Sequence, residues 1–447
     1  MNRFGFILLF ATAVILLLLA AFSIISPYAV FGYAAIILLY LLFKRQAWIF
    51  LILAPIGLLF GQFISFEIQP NWTYEISLGE LLLALVLIFF IIDFIFHYPK
   101  VKVKFGGIGR LLLIYAAIAA ASFWYISDIQ LYVAGMKVLF FGFIAYFLAL
   151  NILTTKAKLK GFMMTLAIFA IVLSLQIFWT FYSLGFSADI FFNRSYIMIA
   201  FGPIALVAAV LSLLLPLILS LYFQADKEDK SRIIYLISFA LGFIAVFVML
   251  GKAAIISLLL GLAYVLWRLK QKRIGFILFV LVFGILGYTI FSQYAEGLAS
   301  RIGDTFVDKN TRFRIQEYEV CWRIFKEHPL LGVGSGQQLL YYQRLIQPDY
   351  KQLINNYFVQ AAVDYGIIGL TVIAFLVAAV YKQVRKVVTS FSGREQIIMH
   401  GLVGSLIAAF VNGLFEVTIF TLFYAVVFWM IVGLLPNLKS IASGEEK

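Results

Sequence analysis

Apolar runs of membrane length recur along the chain, separated by short polar connections rich in Lys and Arg. A helix needs roughly 20 apolar residues to cross the hydrocarbon core of a bilayer. On that criterion the pattern predicts about fourteen spans. They fall near 5–25, 28–43, 47–66, 78–96, 111–126, 131–152, 161–184, 196–223, 233–250, 253–267, 274–291, 366–381, 397–415 and 417–435. The pattern breaks once, over residues 292–365, where the chain turns polar, basic and aromatic. So long a connection inside a compact protein is functional or disordered. This one carries helical patterning and Gly/Pro turns, so it is predicted to be folded. The expected fold class is all-α: a polytopic membrane helix bundle with a large extracytoplasmic helical loop. Its expected parts are a transmembrane bundle over 1–291, a loop domain with the site over 292–365, and C-terminal helices with a short tail over 366–447.

Composition agrees. The 447 residues are 64% hydrophobic and 12% charged, against about 25% charged in a soluble domain. The net charge of +13 raises the question of nucleic acid, but topology explains it first, because cytoplasmic loops collect Lys and Arg. With the N-terminus inside, the clusters Lys44–Arg45, Lys100–Arg110, Lys156–Lys160, Lys227–Arg232, Arg268–Arg273 and Lys382–Arg394 all fall inside. Both termini are then expected to be cytoplasmic and the long loop external. The first run has a basic start and no clear small-x-small cleavage site, so it is read as an uncleaved helix. The lone Cys321 excludes an intramolecular disulfide and a cysteine metal cluster. His97, His328 and His400 lack ligand spacing, so no metal site is expected.

Within the loop, Asn310 or Thr311 can cap a helix running to Glu327, with Pro329 just past its end. Advancing about 100° per residue from Phe313 groups Arg312, Gln316, Glu319, Arg323, Lys326 and Glu327 as a solvent face. Phe313, Ile315, Tyr318, Val320, Cys321, Trp322, Ile324 and Phe325 fill the rest. Arg314 breaks the pattern, landing between Cys321, Tyr318 and Phe325, and Glu317 breaks it too. A buried charge needs a partner. Either Arg314 pairs with Glu317 at i,i+3, or its planar fork receives an anion such as phosphate. The run Pro329–Gly336 reads as a sharp turn with close backbone approach. Pro348–Tyr365 reads as a second helix. Its Gln352, Asn356, Gln360 and Asp364 form one hydrogen-bonding stripe, suited to sugar hydroxyls or simply to water.

Ionisable residues at membrane depth are functional candidates and are usually paired. Lys137 lies inside a span, and Glu80 and Glu416 lie at the same outer level. A structural Lys137–Glu80 or Lys137–Glu416 pair is expected. Asp93, near the cytoplasmic end, is expected to snorkel or to meet a lysine.

These residues carry a resemblance. Arg314, Tyr318 four residues on, His328-Pro-Leu-Leu-Gly-Val-Gly-Ser-Gly336 and Asn355-Asn-Tyr-Phe-Val-Gln-Ala-Ala-Val-Asp-Tyr-Gly-Ile-Ile-Gly369 resemble the signature of the O-antigen ligase/polymerase superfamily of bacterial envelope glycosyltransferases. Asn193-Arg-Ser-Tyr-Ile and Gly251-Lys-Ala-Ala-Ile-Ile-Ser fit more loosely, and the likeness spans roughly residues 190–435. The resemblance implies an enzyme of the bacterial cytoplasmic membrane, without metal or cofactor, with partners in a polysaccharide assembly pathway. It would transfer a polyprenyl-diphosphate-linked glycan to a glycan acceptor at the outer face, and no nucleic acid is expected. It assigns Arg314, Glu317 and Asn355 to the reacting centre, and Arg194, Lys252, Arg312, Asn356, Tyr357, Gln360 and Asp364 to substrate. Lys252 stands where the family usually has arginine, keeping the charge without the fork. Asn355 stands where ligases usually have a histidine base, and an amide cannot take a proton. That departure favours a polymerase over a ligase to lipid A core and leaves Glu317, Asp364 and Glu416 as candidate bases. The rivals are a transporter or lipid flippase, and an inactive scaffold.

Overall fold

A computed structural model describes residues 40, 43, 46–60, 64–69, 72–97, 102–184, 198–199, 202–249, 251–269, 309–347, 353–393 and 395–443. Eight described helices are long and apolar enough to cross a membrane, and two shorter ones are apolar. In order they begin with α1 (Ala47–Gly57, short), a hairpin of β1 (Ile64–Gln69) and β2 (Trp72–Ile76), then α2 (Leu78–His97), α3 (Gly106–Ala121), α4 (Ile129–Ile152) and α5 (Lys156–Ser183). After the two-residue strands β3 (Met198–Ile199) and β4 (Gly202–Pro203) come α6 (Ile204–Gln224), α7 (Ser231–Val248) and α8 (Lys252–Arg268). The last group is α9 (Lys309–Glu327), α10 (Gln338–Leu345), α11 (Tyr357–Ser390), α12 (Glu395–Gly413), the short apolar α13 (Leu422–Leu434) and α14 (Leu438–Ser443). The architecture is an all-α polytopic bundle. The expected spans 5–25 and 274–291, and all of 28–43 but Tyr40 and Phe43, lie outside the described residues.

Three expectations are corrected. The span predicted over 196–223 becomes helix only at Ile204, because Met198–Ile199 and Gly202–Pro203 pair as β3 and β4. The span predicted over 47–66 stops at Phe60, and the chain folds back as an antiparallel hairpin in which Ile64 faces Ile76 and Phe66 faces Tyr74. The predicted helix Pro348–Tyr365 is not separate: helix begins at Tyr357 and continues as α11 across a kink at Tyr365 and Gly366.

The bundle is built around α6, which is buried along nearly its whole length and packed by α5, α7, α8 and α12. Between helices in lipid the hydrophobic drive is weak, so close van der Waals packing has to hold them. Small residues permit it here. A β-carbon on Gly261 of α8 would stand 2.6 Å from the Gly404 carbonyl oxygen of α12, and one on Gly401 would stand 2.5 Å from Ser220 of α6. Elsewhere α4 packs on α13, α11 on α3, and α1 on α2.

Polar contacts gather at the two ends. At one end Lys160 meets Asp229 at 2.9 Å, Lys104 reaches Asn437 at 3.5 Å and Lys158 donates to the Ile152 carbonyl. The Lys160 hydrogen bond, helped by the Ser231 amide, holds the Asp229 carboxyl low, at about 2. At the other end Lys137 meets buried Glu80 at 2.9 Å, donates to the Glu75 carbonyl and lies over the Tyr74 ring. Lys137 therefore takes the first of its two expected partners. Among the described residues Asp93 meets no lysine: it accepts from Tyr40 at 3.1 Å and pairs with His97 at 3.0 Å.

Candidate functional site

The site is framed by a broken helix. In an unbroken α11 the amides of Ile367 and Ile368 would bond the carbonyls of Val363 and Asp364. Gly366, at φ 61°, breaks both bonds. Four backbone groups are thereby orphaned, each costly to bury. The turn after α9 takes up all four. Ile367 donates to the Pro329 carbonyl at 2.8 Å and Ile368 to that of Leu330 at 3.4 Å. The carbonyls of Val363 and Asp364 accept from Val333 at 3.0 Å and Gly334 at 2.8 Å. Gly332, at φ 65°, lets the turn lie against this backbone, since a β-carbon there would stand 2.4 Å from the Val363 carbonyl oxygen.

Gln337 ties the same turn to the membrane bundle. Its buried amide oxygen accepts from the backbone of Ser127 at 3.0 Å and Asp128 at 2.9 Å. Its nitrogen donates to the Asp128 carbonyl at 2.7 Å. Asp128 in turn caps α4 through the amides of Gln130 and Leu131. Gly135 of α4 packs under Ser335.

Helix α9 docks beside this frame. The observed helix already includes Lys309, so neither Asn310 nor Thr311 is its cap. Val320, Cys321 and Ile324 bury against Val333, Tyr342, Ile354 and Val363. Cys321 Sγ lies 2.9 Å from the Tyr342 hydroxyl, and burial pushes its thiol up to about 12. The predicted solvent face of Gln316, Glu319, Arg323, Lys326 and Glu327 is exposed. Ile315, Tyr318 and Trp322 are exposed as well, which the pattern did not anticipate.

Arg314 does not pair with Glu317. Its Nη2 lies 3.6 Å from Glu416 Oε1, with the two side chains 45% and 22% exposed. Glu416 sits in the turn between α12 and α13, where its amide bonds the Asn412 carbonyl at 2.8 Å. The Asn412 side chain accepts from Thr418 at 2.9 Å. Asn356 belongs to the same junction. Its oxygen caps α11 through the amides of Phe358 and Val359, and its nitrogen donates to the Leu414 carbonyl at 3.1 Å. Asn355, half-buried, immediately precedes this cap.

The other predicted residues scatter in role. Glu317 is buried on the core side of α9. The amide stripe is largely interior: Gln338 donates to Gln360 at 3.0 Å, and Gln360 donates to Asp364 at 2.9 Å, all three buried. Tyr357 is buried with its ring against Gly413. All five of these side chains are buried. Lys252 begins α8. Because α8 and α12 run antiparallel, with Tyr264 beside His400 and Gly261 beside Gly404, Lys252 stands level with Asn412 and Gly413. Arg194, Gln352 and the Arg312 side chain lie outside the described residues. No cluster of three or more His, Cys, Asp or Glu able to hold a metal occurs among the described residues.

Sequence reasoning missed Gln337, Ser127, Asp128 and Gly135. The one available signal was Gln337 itself, an amide closing a glycine run, but nothing local names its partner.

A multi-pass helical membrane protein results, with an arginine and a carboxylate meeting at one end beside a kinked helix clasped by a glycine turn. Residues 237–374, from within α7 to within α11, match the family model described as O-antigen ligase. The match supports membership of the O-antigen ligase/polymerase superfamily, whose members are glycosyltransferase-like enzymes. No curated protein matches the chain.

Proposed function

We propose that the chain transfers or polymerises polyprenyl-diphosphate-linked oligosaccharide onto a sugar hydroxyl at the outer face of the bacterial cytoplasmic membrane. The observation that carries this reading is the junction of Arg314 and Glu416, 3.6 Å apart and both reachable by solvent. A guanidinium carries five N–H donors in a planar fork. Contact with one carboxylate oxygen leaves donors for a diphosphate.

In the reaction the acceptor hydroxyl oxygen bonds to the anomeric carbon of the donor sugar. The bond from that carbon to the diphosphate oxygen breaks, and polyprenyl diphosphate leaves with the electron pair. Arg314 stabilises the negative charge that grows on it, with Lys252, Arg194 and Arg312 as further cations. Such placed charge is usually the largest catalytic contribution. The hydroxyl proton goes to Glu416, the most accessible of the three candidate carboxylates, since Glu317 and Asp364 are buried. Asn355 orients the acceptor. Asn356, Tyr357, Gln360 and Asp364 hold the wall behind it. Polymerase is preferred over ligase because of Asn355, whose amide takes no proton.

Transport is less well supported. Lys137, the intramembrane charge on which a polar path would rest, is neutralised by Glu80.

Reconstitution with a labelled polyprenyl-diphosphate glycan tests the proposal. The chain should yield longer or transferred glycan, and Arg314→Ala should abolish it while inserting normally. Wild-type yield from Arg314→Ala, or relocated lipid with unchanged glycan, would overturn it.

A further inference from the structure

Helix α9 has three faces where an ordinary amphipathic surface helix has two. Its core face is Glu317, Val320, Cys321 and Ile324. Its polar face is Gln316, Glu319, Arg323, Lys326 and Glu327. Its third face is apolar and uncovered: Ile315 is 55% exposed, Tyr318 41% and Trp322 58%. At about 100° per residue these three lie within about 60° of one another. Trp322 stacks on Phe325 at 6.0 Å, and Lys326 Nζ stands 5.2 Å from the Trp322 ring.

This face does not end with the helix. Leu330 and Leu331, in the turn that follows, are exposed. The Leu331 carbonyl accepts from the Tyr125 hydroxyl at 2.9 Å. Tyr125 closes the membrane-length segment Gly106–Tyr125, together with exposed Phe123 and Trp124. The Leu330 carbonyl accepts from Ile368, which with Ile367 is exposed on the membrane-length α11. The apolar surface of α9 is thus continuous with two apolar helices, at the level where one ends and the other kinks. Aromatic residues concentrate at that depth. Lys326 borders the apolar face on its water side, beside Glu319, where headgroups would lie.

We propose that α9 is an interfacial helix, with its Ile315–Tyr318–Trp322 face seated in the lipid leaflet at its end of the bundle. The occupant is the acyl region of the bilayer. A helix of this kind rests about 5–10 Å into the headgroup and acyl boundary. Arg314, on the edge between the lipid face and the core face, is then held at headgroup depth. The inference rests on exposure and continuity alone and stands or falls independently of the reaction proposed above.

Nitroxide accessibility tests it in the full chain in nanodiscs of phosphatidylcholine and phosphatidylglycerol. Single cysteines replace Ile315, Tyr318 or Trp322, and, as controls, Gln316, Glu319 or Arg323. The native Cys321 is buried, so the introduced thiol takes the label. The first three sites should be reached by oxygen and shielded from a nickel chelate, at depths of about 5–10 Å; the controls should show the reverse. Nickel reaching both sets alike would overturn the proposal, as would a first set shielded from both reagents, which would mean a protein cover such as a second copy. A second measurement needs no new cysteine. The difference in emission between the native chain and Trp322→Phe should be quenched by brominated lipid, and an unquenched difference would also overturn it.

Discussion

A β-carbon on Gly366 would stand 2.3 Å from the backbone carbonyl of Leu330. The two chains touch there, main chain to main chain, because the kink in α11 and the turn after α9 complete each other's hydrogen bonds. Gly366→Ala would meet two penalties. Its φ of 61° with ψ of −157° lies in a region that is essentially glycine's alone and costs another residue about 1–3 kcal/mol, and the collision forces the turn away and orphans buried backbone groups. Gly393 is a positive-φ control without the collision, because its φ is 63° with nothing within 4 Å of an added β-carbon. Gly366→Ala should therefore unfold at a clearly lower temperature than Gly393→Ala and lose glycan transfer. Equal melting of the two variants would show that the clasp contributes nothing.

Glu80 is buried and its partner Lys137 comes from another helix. Removing one member of such a pair costs about 3–5 kcal/mol, because the other charge stays behind uncompensated. Lys137→Met should be strongly destabilised in a detergent melt. Adding Glu80→Gln should recover much of the loss. A double variant no better than the single one would mean that the pair is not coupled.

Cys321 should resist alkylation. Its thiol ionises only near about 12 when folded, against an ordinary 9.0. The folded state thus disfavours the thiolate relative to the unfolded chain. The associated stability is intact below pH 9.0 and falls as pH climbs from there towards about 12. Maleimide at pH 8 should label the native chain far more slowly than the chain unfolded in sodium dodecyl sulfate. Equal rates would contradict the buried contact with Tyr342.

Glu416→Gln separates the two roles at the reacting centre. The amide keeps an oxygen facing Arg314 but takes no proton. Loss of a positioned base costs about 10²–10⁴-fold in rate. The expected signature is a fall in kcat with KM for the lipid-linked donor little changed. A rise in KM with kcat preserved would assign Glu416 to holding Arg314 in place and leave the proton acceptor elsewhere.

What the sequence discloses here follows the range of each interaction. Long apolar runs need no partner to be recognised, so α2, α4, α7, α8 and α12 fall close to their expected limits, while α6 starts eight residues later than expected, after β3 and β4. The polar face of α9 was equally plain, since helical periodicity is local. The hairpin was overlooked although Ile64-Ser-Phe-Glu-Ile-Gln69 alternates apolar and polar residues, the strand period; the apolar run before it masked the change. Arg314 was recognisable as a charge needing a partner, but local spacing offered only Glu317. The observed partner, Glu416, follows three further helices. Nor could side-chain pattern disclose the clasp, because its bonds are backbone to backbone. Asn356, Gln360 and Asp364 were correctly read as hydrogen-bonding residues at a shared spacing. Whether that row faces sugar or the protein's own interior is decided by Gln338 and by the turn at Leu414, which come from other parts of the chain.

The glycine turn grips α11 by its backbone and the start of α4 by Gln337. Two walls contributed by distant parts of the chain are thereby cross-braced through one short segment. Tilting either helix must drag the other and pull on α9, which runs into the same segment.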